Sequence, residues 1–171
     1  RLLAGDRAVI ETTAGTLNIS IWDCGVRIDS GPRAIAGYGM LANEPQCLAL
    51  TISALEDRSL IRGGDFELEL EHAPLSFVLR KHGREVQSSP GDGHFARRFR
   101  LPPFARIDGG WLIALNLQSN EPVYGLGEKW GRLDKRGQLL RSLNEDALGV
   151  NAERSYKNTP FAWSPCGWGV F

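Results

Sequence analysis

Between Phe66 and Glu71 the chain alternates residue by residue, with Phe66, Leu68 and Leu70 on one side and Glu67, Glu69 and Glu71 on the other. A period of two puts one set on each face of a pleated strand. It does not fit an amphipathic helix, whose apolar residues recur every three to four positions. Leu17, Ile19 and Ile21 alternate with Asn18 and Ser20 in the same way, which predicts a half-buried strand over Thr16 to Trp22. Cys47 to Leu55 and Trp111 to Leu117 are apolar on both faces in places and read as central strands covered on each side.

Turn residues fall between these runs. Arg62-Gly63-Gly64-Asp65 and Lys81-His82-Gly83-Arg84 read as tight hairpins, the second between strands Ser76–Arg80 and Glu85–Gln87. Ser88 to Gly93 reads as a longer loop, and Asp108-Gly109-Gly110 introduces the Trp111 strand. No sustained helical period occurs in the first 120 residues. Short antiparallel strands joined by polar turns predict an all-β sandwich or barrel. With no repeat, low-complexity tract or dividing linker, the expectation is one domain over 1–171, more loop-rich after Tyr124.

The formal net charge is zero, with 42% hydrophobic and 23% charged residues, the balance of an ordinary globular domain. No basic excess exists to neutralise phosphates, so no nucleic-acid partner is expected. The apolar runs are too short for a spanning helix, so no membrane role is expected either. The chain has no initiator Met and no apolar leader, and it stops at Val170-Phe171 within an apolar run. Both ends are expected to be those of a fragment. Cys24, Cys47 and Cys166 are odd in number and widely spaced, which favours reduced thiols and a cytoplasmic location. His72, His82 and His94 lack partners at metal-ligand spacing and are expected at loops or strand ends. No metal site and no cofactor are assigned.

The last third mixes glycine turns, carboxylates and aromatic residues. Gly125-Leu126-Gly127 is not a dinucleotide fingerprint, because Trp130 stands where the third glycine belongs. Its glycines are expected to allow a sharp bend or a close backbone approach. Glycoside hydrolysis requires two carboxylates flanking the scissile bond, roughly 5 to 10 Å apart. Glu145 and Asp146 are adjacent and would point to opposite faces of an extended chain, so they do not form such a pair. On residues alone, Asn144-Glu145-Asp146 is a solvated turn. Lys129 to Arg141 reads as a solvated loop. Seven of the chain's fifteen aromatic residues lie after position 123. Phe161, Trp163 and Phe171 are expected in the core, whereas Tyr156, beside Lys157-Asn158-Thr159-Pro160, is the better ligand candidate.

The order Tyr124-Gly-Leu-Gly-Glu128, Leu133-Asp-Lys-Arg-Gly137, Asn144-Glu-Asp-Ala147, Tyr156-Lys-Asn-Thr-Pro-Phe161 and Gly167-Trp-Gly-Val-Phe171 resembles glycoside hydrolase family 31, which includes α-glucosidases and α-xylosidases. The resemblance lies in the N-terminal β-sandwich of that family, similar in fold to galactose mutarotase, which precedes a catalytic (β/α)8 barrel. It implies that the catalytic aspartates lie on a barrel outside this chain, so no catalytic residue is assigned here. It implies that the 124–171 segment lends a loop to the active-site rim, with Asp146 binding substrate hydroxyls and Tyr156 as an aromatic on the same loop. Glu128 is implied as a scaffold residue of the turn. The expected partners are an α-linked glycoside or oligosaccharide and the chain's own C-terminal barrel.

Two alternatives belong to other classes. A carbohydrate-binding module would stack sugars on Tyr156 and a tryptophan, and would bind oligosaccharides by itself. A structural docking domain would bury its aromatic end against a partner, and its Val170-Phe171 terminus would drive homo-oligomerisation of the isolated chain.

Overall fold

The computed structural model describes residues 5–12, 15–30, 46–90, 94–96, 99–146, 148 and 154–171. Among them every regular element is a strand: β1 (Ala8–Thr12), β2 (Gly15–Ile21), β3 (Val26–Ser30), β4 (Thr51–Ala54), β5 (Arg58–Gly63), β6 (Phe66–His72), β7 (Leu75–Lys81), β8 (Arg84–Ser88), β9 (His94–Ala96), β10 (Phe99–Leu101), β11 (Phe104–Ile107), β12 (Gly110–Ile113), β13 (Tyr124–Gly125), β14 (Ala162–Ser164) and β15 (Trp168–Val170). All pairings within the sheets are antiparallel. The chain divides into two compact units, 1–116 and 117–171.

In the first unit, β1-β2-β3 form one sheet and β4-β5-β6-β7-β8 another. Ala8, Ile10, Ile19 and Ile21 from the first sheet meet Ile61, Phe66, Leu68 and Leu70 from the second in one buried cluster, closed by Leu50. Apart from Leu50, which precedes β4, each of these residues comes from the alternating set of its strand, so sheet-on-sheet packing follows directly from the period of two. A second cluster joins Leu17 and Leu75 to Phe104 of β11. The Phe104 ring stands edge-on to Phe77 at 6.5 Å between centroids and lies 5.3 Å from Trp111.

The expected hairpins form. Gly64-Asp65 joins β5 to β6, with Gly63 paired to Phe66. His82-Gly83 and Asp108-Gly109 have positive φ at both residues, the geometry that matches a two-residue loop to the twist of its strands. The Gly91–Gly93 part of the predicted long loop lies outside the described residues. His82 sits on its turn and His72 at the end of β6, where its Nε2 lies 2.9 Å from Ser59 Oγ.

Two expectations are corrected. The Cys47–Leu55 run supplies β4, an edge strand rather than a central one, with Thr51 and Ala54 exposed. The Trp111–Leu117 run supplies only β12, half of a two-stranded sheet, with Trp111 and Ile113 exposed. After Ile113 the backbone leaves the ladder, and Ala114 and Asn116 donate to the carbonyls of Pro103 and Ser88. Apolar character on both faces shows what a strand could bury, and tertiary packing here covers only part of it.

The outward face of β5-β6-β7 carries a cross-strand charge ladder. Arg58 Nη1 donates to Glu69 Oε1 at 2.8 Å, and Arg80 Nη1 donates to Glu69 Oε2 at 2.9 Å and Glu67 Oε1 at 3.1 Å. Arg62 Nε donates to Glu67 at 2.6 Å. Hydrogen bonds from Arg58 and then Arg80 hold the Glu69 carboxyl below its ordinary pKa, against the opposing effect of burial. Because the folded value is the lower one, this stabilisation is complete above the ordinary value of about 4.3 and is lost as pH falls through the folded value. Glu69→Gln should therefore cost about 1 kcal/mol in urea unfolding at pH 7. The variant and the parent should converge as the pH falls through the lowered folded value of Glu69, below which both side chains are neutral.

Candidate functional site

The second unit is built around buried polar groups. Its buried residues, among those described, are Glu121, Lys135, Ser155 and Ser164, and no hydrophobic side chain of the unit is buried. Glu121 is the anchor. Its Oε1 accepts from Trp168 Nε1 at 2.6 Å and its Oε2 accepts from the Gln118 amide at 2.7 Å. Burial pushes its pKa up, but hydrogen bonds from Ser164, the Gln118 amide, Trp168 and Cys166 outweigh that and hold it below the ordinary value. The carboxylate thereby ties the chain before β13 to both strands of the β14–β15 hairpin.

The Lys129–Arg141 run is more than the solvated loop expected of it. Asp134 Oδ1 accepts from the amides of Val123 at 3.1 Å and Arg136 at 2.9 Å. The Arg136 amide and then that of Val123 lower its pKa. Arg136 Nη1 donates to the carbonyls of Gln118 and Glu121, and buried Lys135 donates its Nζ proton to the Arg132 carbonyl at 2.6 Å. A charge run of this kind is legible as solvated only when its partners are water, and here they are main-chain groups.

The Gly125-Leu126-Gly127 turn makes the close approach expected of it. Gly127 has φ of 75°, and a Cβ there would meet the Lys157 carbonyl oxygen, the Thr159 nitrogen at 2.6 Å and Asn158 Cα at 2.8 Å. Leu126 and Glu128 donate their amides to the carbonyls of Phe161 and Lys157. The Glu128 side chain is exposed, so the turn is held by backbone at Glu128, and the carboxylate that anchors the unit is Glu121.

This turn fixes the segment that carries Tyr156. Asn158 fastens the base of the adjoining loop: its Nδ2 donates to the Leu143 carbonyl at 2.7 Å, to Asn144 Oδ1 and to the Ser155 carbonyl. Its amide also donates to Asn144 Oδ1 at 2.9 Å. Asn144 and Ser155 form a parallel bridge, and Arg154 pairs with Glu145 at 3.1 Å. The two residues singled out from sequence are brought together above this base, with Tyr156 Oη donating to Asp146 Oδ1 at 2.7 Å. Both are exposed. Ala147 and 149–153 lie outside the described residues.

Glu121, Asp134 and Glu145 are committed to structural partners. Asp146 presents an accessible carboxylate, suited to accepting hydrogen bonds from hydroxyls. Phe161 and Trp163 are each 41% exposed and Phe171 is 86% exposed, so the core placement expected for them is corrected. Trp163 and Tyr124, paired across β13 and β14, are in tilted ring contact at 5.1 Å between centroids.

Residues 15–171 match the glycosyl hydrolase 31 N-terminal galactose mutarotase-like domain. The chain belongs to glycoside hydrolase family 31, as its N-terminal β-sandwich domain. It is similar to an α-xylosidase of Emericella nidulans, 44% identical over 68 residues, which is 40% of this chain and 9% of that enzyme. It is also similar to the α-xylosidase XylQ of Lactiplantibacillus pentosus, 42% identical over 57 residues, 33% of this chain and 7% of that protein. A family 31 dextranase of Flavobacterium johnsoniae complexed with isomaltotriose shares the fold over the whole chain, with a TM-score of 0.68 at 19% identity. A soil-metagenome α-xylosidase complexed with xylose does so over 98%, with a TM-score of 0.63 at 17% identity. The chain spans 22% and 27% of those two structures.

Gly127→Ala should cost about 2–4 kcal/mol, since both the positive φ and the backbone contact are lost. Gly137 has φ of 71° but open space around it, so Gly137→Ala should cost only about 1 kcal/mol. Thermal melts of the two variants separate the contact from the conformation. Glu121→Gln keeps the shape but turns an N–H group toward a donor, and it should lower stability by about 2–3 kcal/mol in the same assay.

Proposed function

We propose that this chain is the N-terminal part of a retaining α-glycosidase, with α-xylosides and α-glucosides as substrates. The hydrolytic carboxylates lie on a (β/α)8 barrel elsewhere in the same protein, and Asp146 contributes from the rim by binding a substrate hydroxyl. The carrying observation is the exposed Asp146 carboxylate, held by Tyr156 on a loop whose base Asn158 fastens. The names of both curated relatives support trying α-xylosides first.

Docking against a barrel accounts for the second unit's inverted character. That unit buries polar groups while Trp130 is 74% exposed, Leu133 82% and Leu139 94%. A covering surface would remove this apolar area from water, a favourable change at roughly 25 cal/mol per Å². Cys24, Cys47 and Cys166 are free and exposed, which supports the cytoplasmic location proposed with this reading.

The test uses the full-length protein and aryl α-xyloside and α-glucoside substrates. Asp146→Ala should lower kcat/KM by about 10- to 100-fold, the loss of one charge-assisted hydrogen bond. The first-formed sugar, followed by proton NMR, should be the α-anomer. Unchanged kcat/KM on every substrate removes Asp146 from the site, and a β-anomer removes the retaining mechanism. Tight oligosaccharide binding by this chain alone would favour a carbohydrate-binding module instead.

A further inference from the structure

Tyr156 is placed where it can act in two different ways. An exposed aromatic ring can stack on the apolar face of a sugar, and a phenol can hold another group. The geometry distinguishes them. The single phenolic proton is directed at Asp146 Oδ1 at 2.7 Å, so it is not available to a ligand, and the phenol oxygen retains only acceptor capacity. Asp146 in turn has one oxygen engaged and Oδ2 left for another donor.

We propose that Tyr156 is a positioning residue. It fixes the rotation of the Asp146 carboxylate so that Oδ2 is presented to a sugar hydroxyl, and it is not a stacking platform. This rests on the reading of Asp146 as a sugar-binding residue. An exposed aspartate rotates freely about two torsions, and a ligand that uses it must freeze them. A hydrogen bond formed beforehand removes part of that cost from the binding step. The arrangement suits this role because the limbs bearing the two residues are tied together by other bonds. Asn158 bridges Leu143, Asn144 and Ser155, and Glu145 pairs with Arg154. Gly127 packs under 157–159 on the Tyr156 side. The phenol therefore meets the carboxylate without having to order the loop itself. The ligand group must be a donor, because an ionised carboxylate only accepts, so a substrate deoxygenated at that position gains nothing from Asp146.

Steady-state kinetics of the full-length protein on an α-linked disaccharide test this with Y156F, Y156A, D146A and the D146A/Y156F double variant. Tyr156→Phe keeps the ring and removes only the hydroxyl. It should raise KM about three- to tenfold with kcat within about twofold, and Tyr156→Ala should be little worse. In the Asp146→Ala background, Tyr156→Phe should add nothing. Wild-type KM for Tyr156→Phe beside an impaired Tyr156→Ala would establish stacking and overturn positioning, while leaving Asp146 in the site if Asp146→Ala is impaired. A Tyr156→Phe effect that persists without Asp146 would mean a general loosening of the loop and would also overturn it. If Asp146→Ala has no effect, both readings fall.

Discussion

The turn at 125–128 approaches the 157–161 backbone so closely that no side chain fits between them, and the geometry of the candidate site depends on that approach. Gly127 lacks a Cβ and adopts positive φ, so the amides of Leu126 and Glu128 reach the carbonyls of Phe161 and Lys157. Those bonds set the path of the chain just after Tyr156. Tyr156 therefore leaves a fixed backbone, and Asn158, two residues on, reaches back to Leu143 and Asn144 at the entry of the loop. A turn that touches no ligand decides where the phenol and the carboxylate meet.

The two units are stabilised by different means. In the first, alternating apolar residues from two sheets fill a common interior, and ion pairs decorate the outer face. In the second, buried carboxylate and backbone networks take over the organising role: Glu121 gathers Gln118 and Trp168, and Asp134 gathers Val123 and Arg136. A segment of this size with no buried hydrophobic side chain among its described residues gains little from area removed from water, so each of these acceptors matters more than it would in a packed core.

The sequence makes the first unit legible because its constraint is local. Leu68 and Leu70 are inward because Glu67 and Glu69 cannot be, and His82-Gly83 and Asp108-Gly109 are turns because of their own φ preferences. What it leaves open is tertiary. Whether the apolar Trp111 run is covered on both faces depends on neighbours far along the chain, and only part of it is covered. Glu121 carries no local mark, since its donors come from Gln118, three residues back, and Trp168, far ahead. Asp146 stood out only through the family resemblance. Its phenol partner could not be read from spacing, because the two lie ten positions apart with no periodic pattern linking them.

The exposure of the Asp146–Tyr156 pair links the two halves of the functional reading. A hydrogen bond with both ends in water competes with solvent at each end, and its net worth is small. The same bond in a site from which water has been excluded is electrostatically stronger, because the local dielectric falls. Leu133, Leu139, Trp130 and Phe171 offer the apolar area that a covering surface would bury. Docking of a barrel over this unit would thus do two things through one event. It would hide that area, and it would move the phenol–carboxylate pair from solvent to the wall of a closed pocket, where a fixed carboxylate can discriminate among hydroxyls. The second unit is organised from within by hydrogen-bonded carboxylates and carries its exposed apolar side chains on the outside, the area that the proposed barrel would cover.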